Sequence, residues 1–116
     1  MMTNKTQRYQ SILQEVLEEY AQHVPVNLQQ VDNQVTVDEK RGHFQLVRVG
    51  WNGDQFIRNT VFHFDLKPDN KIWIQANWTD VDIALSLVER GVDRTDIVLG
   101  FQPPRYRPYS DRKSVV

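Results

Sequence analysis

The chain has no cysteine. That excludes a disulfide framework, a thiolate nucleophile and any Cys-ligated zinc or iron–sulfur centre, and it fits a cytosolic protein. No apolar run approaches the ~20 residues that cross a bilayer as a helix, so no membrane attachment is expected. Met1-Met2-Thr3-Asn4-Lys5 is followed by no apolar stretch, so no secretory signal is expected and the location is read as cytoplasmic. A strong charge of one sign is missing too. The formal net charge of −1 argues against a chain whose main task is holding nucleic-acid phosphates. With 5 glycines there is no Gly-rich phosphate loop and no dinucleotide fingerprint, and no Ser-His-Asp constellation can be drawn. Internal repeats, low-complexity tracts and flexible linkers are likewise absent.

What is present is an ordinary globular composition, with a hydrophobic fraction of 40% and a charged fraction of 25%. The 116 residues fit one domain, 1–116, able to bury a core without metal or disulfide staples. The charge is uneven. Residues 1–100 carry 10 Lys and Arg against 14 Asp and Glu, a net of −4. Residues 101–116 add Arg105, Arg107, Arg112 and Lys113 against Asp111, so 103–116 reads as a basic C-terminal tail.

Tyr9, Ile12, Leu13, Val16, Leu17 and Tyr20 recur at the spacing of one helical face and predict a helix over about 5–23. Thr3 or Asn4 caps its start, Pro25 lies beyond its end, and Glu15, Glu18 and Glu19 face solvent. Four strands follow: a short one around Val35 and Val37, then Phe44 to Trp51, about Phe56 to Leu66, and Lys71 to Asn77. Lys40-Arg41-Gly42, Asn52-Gly53 and Pro68-Asp69-Asn70 are the turns between them. Turns this short force antiparallel neighbours. Gly50 reads as a second hairpin glycine beside Gly53. A second helix is predicted over about 80–90, with Thr79 as N-cap, Asp82 completing a capping box, and Trp78 and Ile83 as a hydrophobic staple. Gly91 ends it. Ile97-Val98-Leu99 reads as a short buried run, and Pro103-Pro104 as an extended exit. The fold class is therefore α+β: an antiparallel β-meander of about four strands flanked by an N-terminal and a C-terminal helix. Ile72, Ile74 and Ala76 are placed on one face of the fourth strand and Trp73 on the other. Two short helices cannot cover both faces, so a homo-oligomer is expected.

Chemistry-bearing patterns are few. The histidines, His23, His43 and His63, recur at a spacing with no helical or strand meaning. Only His63 and Asp65 share a strand face with a second ligand type. Such a pair serves as a general base with its orienting carboxylate, as two metal ligands, or as a half-buried His beside a solvated Asp. Asp80 and Asp82 belong to a helix start, where negative charge complements the dipole. Asp65, Asp69 and Lys71 echo a nuclease pattern, but Asp69 and Lys71 sit in a turn and cannot hold a rigid metal centre. Three tryptophans and four tyrosines are many for this length. Trp73 and Trp78 bracket a strand that reads as central, while Trp51, beside the Asn-Gly turn, reads as the exposed one, a position that suits an interface. Arg105-Tyr106-Arg107-Pro108-Tyr109 alternates basic and aromatic residues, a pattern that stacks on single-stranded bases or straps a protein surface.

The order of these words resembles the XisI family, named for the fdxN-element excision controlling factor of filamentous cyanobacteria. The resemblance runs from Tyr9 and Leu17-Glu18-Glu19-Tyr20 to Val49-Gly50-Trp51-Asn52-Gly53 and His63-Phe64-Asp65. It continues through Lys71-Ile72-Trp73-Ile74-Gln75, Thr79-Asp80 and Asp96-Ile97-Val98-Leu99-Gly100-Phe101 to Pro103-Pro104. Asn70 stands where a turn glycine is common in the family, and Asn accepts that conformation. The ending Arg112-Lys113-Ser114-Val115-Val116 departs from the family's small apolar one.

The resemblance implies an accessory role in programmed DNA excision during heterocyst differentiation. The implied partner is a XisH-like protein, with indirect association with a recombinase–DNA complex. It assigns no catalytic, cofactor-binding or metal residue. The expectation is a non-enzymatic controlling factor acting through protein contact, with Trp51, His63, Asp65, Trp73, Arg105, Tyr106 and Arg107 as interaction candidates. An enzyme using His63 and Asp65, an antitoxin-like inhibitor of a nuclease-like partner, and direct DNA binding by the tail are the alternatives.

Overall fold

The computed structural model describes residues 4–23 and 30–109. Helix α1 spans Asn4–Ala21 and buries Tyr9, Ile12, Leu13, Val16 and Leu17, the face its periodicity defines. Tyr20 closes the end of the stripe, its ring edge-on to Phe62 at 5.2 Å. Asn4 is already helical, while Thr3 and Pro25, the expected cap and stop, lie outside the described residues. Each fully buried leucine or valine on this face stabilises the fold by about 1.5–3 kcal/mol.

Strands β1 (Val31–Asp38), β2 (His43–Asn52), β3 (Gln55–Leu66) and β4 (Ile72–Asn77) form the expected antiparallel meander. The turns fall where the Gly, Asn and Pro residues allow them. Asn52 pairs with Gln55, so the tight turn is centred on Gly53 and Asp54, and Gly53 alone takes positive φ there. Asn70 takes φ 66° in the next turn, the conformation a glycine would otherwise supply. Gly42 adopts φ 76° with a Cβ position only 2.1 Å from the Leu66 carbonyl oxygen, so no side chain fits. Gly50 is not a turn residue: it lies within β2, paired with Val31 of β1 and Ile57 of β3, and a Cβ there would stand 2.5 Å from the Gln30 carbonyl oxygen.

The structure corrects the predicted architecture in four respects. First, the sheet has five strands in the order β1-β2-β3-β4-β5, and it is mixed. Ile97–Leu99 is strand β5, parallel to β4, with Trp73 opposite Val98. A three-residue strand gives no alternation to read, and its partner lies more than 20 positions away. Second, helix α2 (Ile83–Glu89) lies between β4 and β5 rather than ending the fold. Third, its N-cap is Asp82, whose Oδ1 accepts from the Leu85 amide. Thr79 makes a separate turn, accepting from the Val81 amide and donating to Asn77, and Trp78 is 80% exposed, so no staple forms. Fourth, a β-bulge at Gln75 puts Ala76 opposite His63, on the face away from Ile72 and Ile74.

Both helices share one apolar cluster with Phe44, Leu46, Phe62, Phe64, Ile72 and Ile74. The cross-strand pairs His43–Asp65 and Asp65–Trp73 lie on the opposite face, and no helix of the described residues covers it. Arg90, at the end of α2, reaches Glu15 and Glu19 of α1. Tyr9 donates to Asp96 Oδ2 at 2.6 Å and accepts from the Asp93 amide, and Lys5 adds an ion pair to the same carboxylate. This contact fastens α1 to the 3-10 turn (Arg94–Asp96) before β5. Beyond β5 the chain does not simply leave. Pro104–Tyr106 forms a 3-10 turn, then Arg107 and Pro108 return along β5, with the Leu99 amide donating to the Arg107 carbonyl. No helix of the described residues is long and apolar enough to cross a membrane.

Candidate functional site

The open face of the sheet gathers the polar groups. Counting outward from the Asn52–Gln55 pair would place His43 opposite Phe64. An extra β3 residue at Val61 shifts the register by one and sets His43 opposite Asp65 instead. His43 Nδ1 then stands 2.7 Å from Asp65 Oδ1, and His63 Nε2 stands 2.9 Å from the same oxygen. The second bulge aims Gln75 inward, so its Nε2 donates to Asp65 Oδ2 at 3.1 Å. Three side chains therefore grip one carboxylate that is 7% exposed. Burial alone would raise the Asp65 pKa. The bonds from His43, Gln75 and His63 outweigh it and hold the carboxyl below its ordinary value.

Gly100 makes room for this arrangement. Its Cβ position lies 2.2 Å from Gln75 Oε1, and its amide donates to the Ile74 carbonyl. Beside the cluster, the Trp73 ring attracts two cations, Lys67 at 5.6 Å and Arg107 at 5.5 Å from its centre. Arg107 Nε also donates to the Gln102 carbonyl at 3.1 Å.

Of the residues singled out from the sequence, His63, Asp65, Trp73 and Arg107 meet at this end of the sheet. Arg105 and Tyr106 stack on each other in the exposed 3-10 turn, 5.0 Å apart. Trp51 lies elsewhere, eight positions along β2 from His43, roughly 25 Å at the rise of a strand. It is 54% exposed and packs on Phe56, its cross-strand neighbour, with ring centres 5.2 Å apart. His43 and Gln75 were not foreseen. Hairpin counting is the only sequence signal for His43, and the bulge defeats it. Phe56 was legible, as the residue facing Trp51 across the turn. A concavity of about 410 Å³ is lined by Arg48, Arg58, Asn59, Thr60, Val61 and Trp78.

Fold and site together define a two-layer α+β protein with helices on one sheet face and a His/Asp/Gln cluster on the other. The chain belongs to the XisI family: the family's model, XisI protein, matches residues 2–112. A XisI-like protein from Anabaena variabilis is 44% identical, with 91% of this chain and 95% of that one covered and a TM-score of 0.82. The fdxN element excision controlling factor XisI of the same organism is 26% identical over 90% of this chain and 93% of that one, at a TM-score of 0.74. No curated protein matches the chain.

Proposed function

We propose that this chain is an accessory controlling factor for site-specific excision of a DNA element, acting in the cytoplasm through contact with a XisH-like protein rather than by catalysis. The observation that carries this reading is its likeness, over nine-tenths of its length, to a protein named as an excision controlling factor. The surface supports contact over chemistry. Trp51 and Phe56 offer a solvent-facing aromatic pair at a rigid hairpin end, the kind of anchor that dominates protein interfaces. The tail gives less support to nucleic-acid binding, since Arg107 and Pro108 are already engaged along β5. Association with a recombinase–DNA complex is then indirect, through the partner. Loss of a sheet-face layer to solvent favours a homo-oligomer.

The test is affinity capture of the tagged chain from its own cells, read by mass spectrometry. A XisH-like protein is expected in near-equal amount, with at least a tenfold loss in the Trp51→Ala/Phe56→Ala double variant. Recovery of this chain alone would overturn the reading. His63→Ala should leave capture intact; loss of a measurable activity with capture preserved would favour an enzyme instead.

A further inference from the structure

We propose that His43, His63 and Asp65 form a binding site for one divalent first-row transition ion, of the zinc type. The inference goes beyond the accessory role and stands independently of it. One ligand atom from each of the three residues lies within 4.8 Å of the other two. The Asp65 Oδ1 contacts to His43 Nδ1 and His63 Nε2, 2.7 and 2.9 Å, are close to the roughly 3 Å that separates neighbouring ligands around an ion bonded at about 2.0–2.2 Å. Two imidazoles and one carboxylate on one side of an ion, with the remaining positions open, is a recurrent donor set for zinc and ferrous iron.

Three further observations favour an ion over a plain hydrogen-bond node. Both imidazoles address the same carboxylate oxygen, so a divalent ion bound by the two deprotonated ring nitrogens and Oδ1 takes the place of those hydrogen bonds. Gln75 binds the other oxygen, Oδ2, and so fixes which oxygen turns toward the histidines, as an outer-sphere partner of a metal ligand does. Finally, His43 is 48% exposed while Asp65 is buried, which gives an ion an entry path from solvent and leaves its outer positions to water. The ligands come from two adjacent strands, so the ion would cross-link β2 and β3 without any change in topology. His23 lies at the end of α1, apart from this face, and serves as an internal control.

The experiment is calorimetric titration of the metal-free full chain with zinc chloride, with cobalt(II) absorption to report the ligand set. One ion per chain is expected, with a dissociation constant in the low micromolar range or below. His43→Ala and His63→Ala should each weaken binding at least a hundredfold, Gln75→Ala about tenfold, and His23→Ala not at all. His43→Ala removes a half-exposed side chain, so its fold can be verified without metal by an unchanged far-UV circular dichroism spectrum. No binding at tens of micromolar zinc would overturn the proposal and leave the cluster a hydrogen-bond node. Binding that survives both His43→Ala and His63→Ala would overturn it equally, by placing the ion elsewhere.

Discussion

Tyr9 and Asp96 show how much one pair of side chains can hold. The phenol is fully buried and bridges the Asp96 carboxylate and the Asp93 amide, so Tyr9→Phe leaves both under-satisfied. The expected cost is about 1–3 kcal/mol in urea denaturation at neutral pH. The same pair contributes at both ends of the pH range. For Asp96, burial opposes ionisation, but the bonds from Lys5 and Tyr9 prevail and lower its pKa. Its folded value lies below the unfolded one, so its contribution is complete above about pH 4 and is lost as pH falls through the folded value. Burial first, then the bond to Asp96, raises the Tyr9 pKa. That contribution is complete below about pH 10 and is lost as pH rises through the folded value. Tyr9→Phe should therefore flatten the alkaline limb of the stability profile. An unchanged alkaline limb would show that the phenol does not titrate with unfolding.

At the scale of elements, close approach decides more than propensity does. Gly42→Ala must fit a methyl group 2.1 Å from a backbone oxygen of β3 while holding φ 76°. A loss of about 3 kcal/mol is expected from strain and displacement together. A change under about 0.5 kcal/mol would mean that the turn relaxes freely. The elements legible in the sequence were those with a long local signature: α1 through its 3.6-residue stripe, and β1 to β4 through the turns that bound them. Those misread have competing or short signals. Thr79 and Asp82 are both capping residues, and what separates them is the later helix start, where the Leu85 amide bonds to Asp82. Ile97–Leu99 is too short to alternate. The two bulges, at Val61 and Gln75, leave no mark in residue type, yet they place His43 and Gln75 around Asp65. The pairing of His63 with Asp65 was legible because it lies within one strand, and the rest of the cluster was not because it depends on register between strands.

As a whole the molecule is a plate, 43 × 38 × 22 Å, with a radius of gyration of 14.9 Å against about 13.4 Å expected for a rounder chain of this length. The thin dimension holds one helix layer and one sheet. Sheets of this kind gain most when both faces are covered. Sedimentation at tens of micromolar is therefore expected to show a species larger than the monomer. A monomer at every concentration tested would sink the oligomer proposal and leave the His43–Asp65 face to water alone.

The Tyr9–Asp96 bond spans 87 positions of the chain. It has a consequence for synthesis. The meander from β1 to β4 is built from near neighbours and can assemble as the chain emerges. Strand β5 must wait for α2, and Tyr9 must wait for Asp96. Until then β4 is a bare edge, with unpaired amides and carbonyls beside Ile72 and Ile74. The nascent protein thus passes through a stage in which its most adhesive strand is ready before its cover, and the speed at which the last quarter arrives sets how long that edge is open to the wrong neighbour.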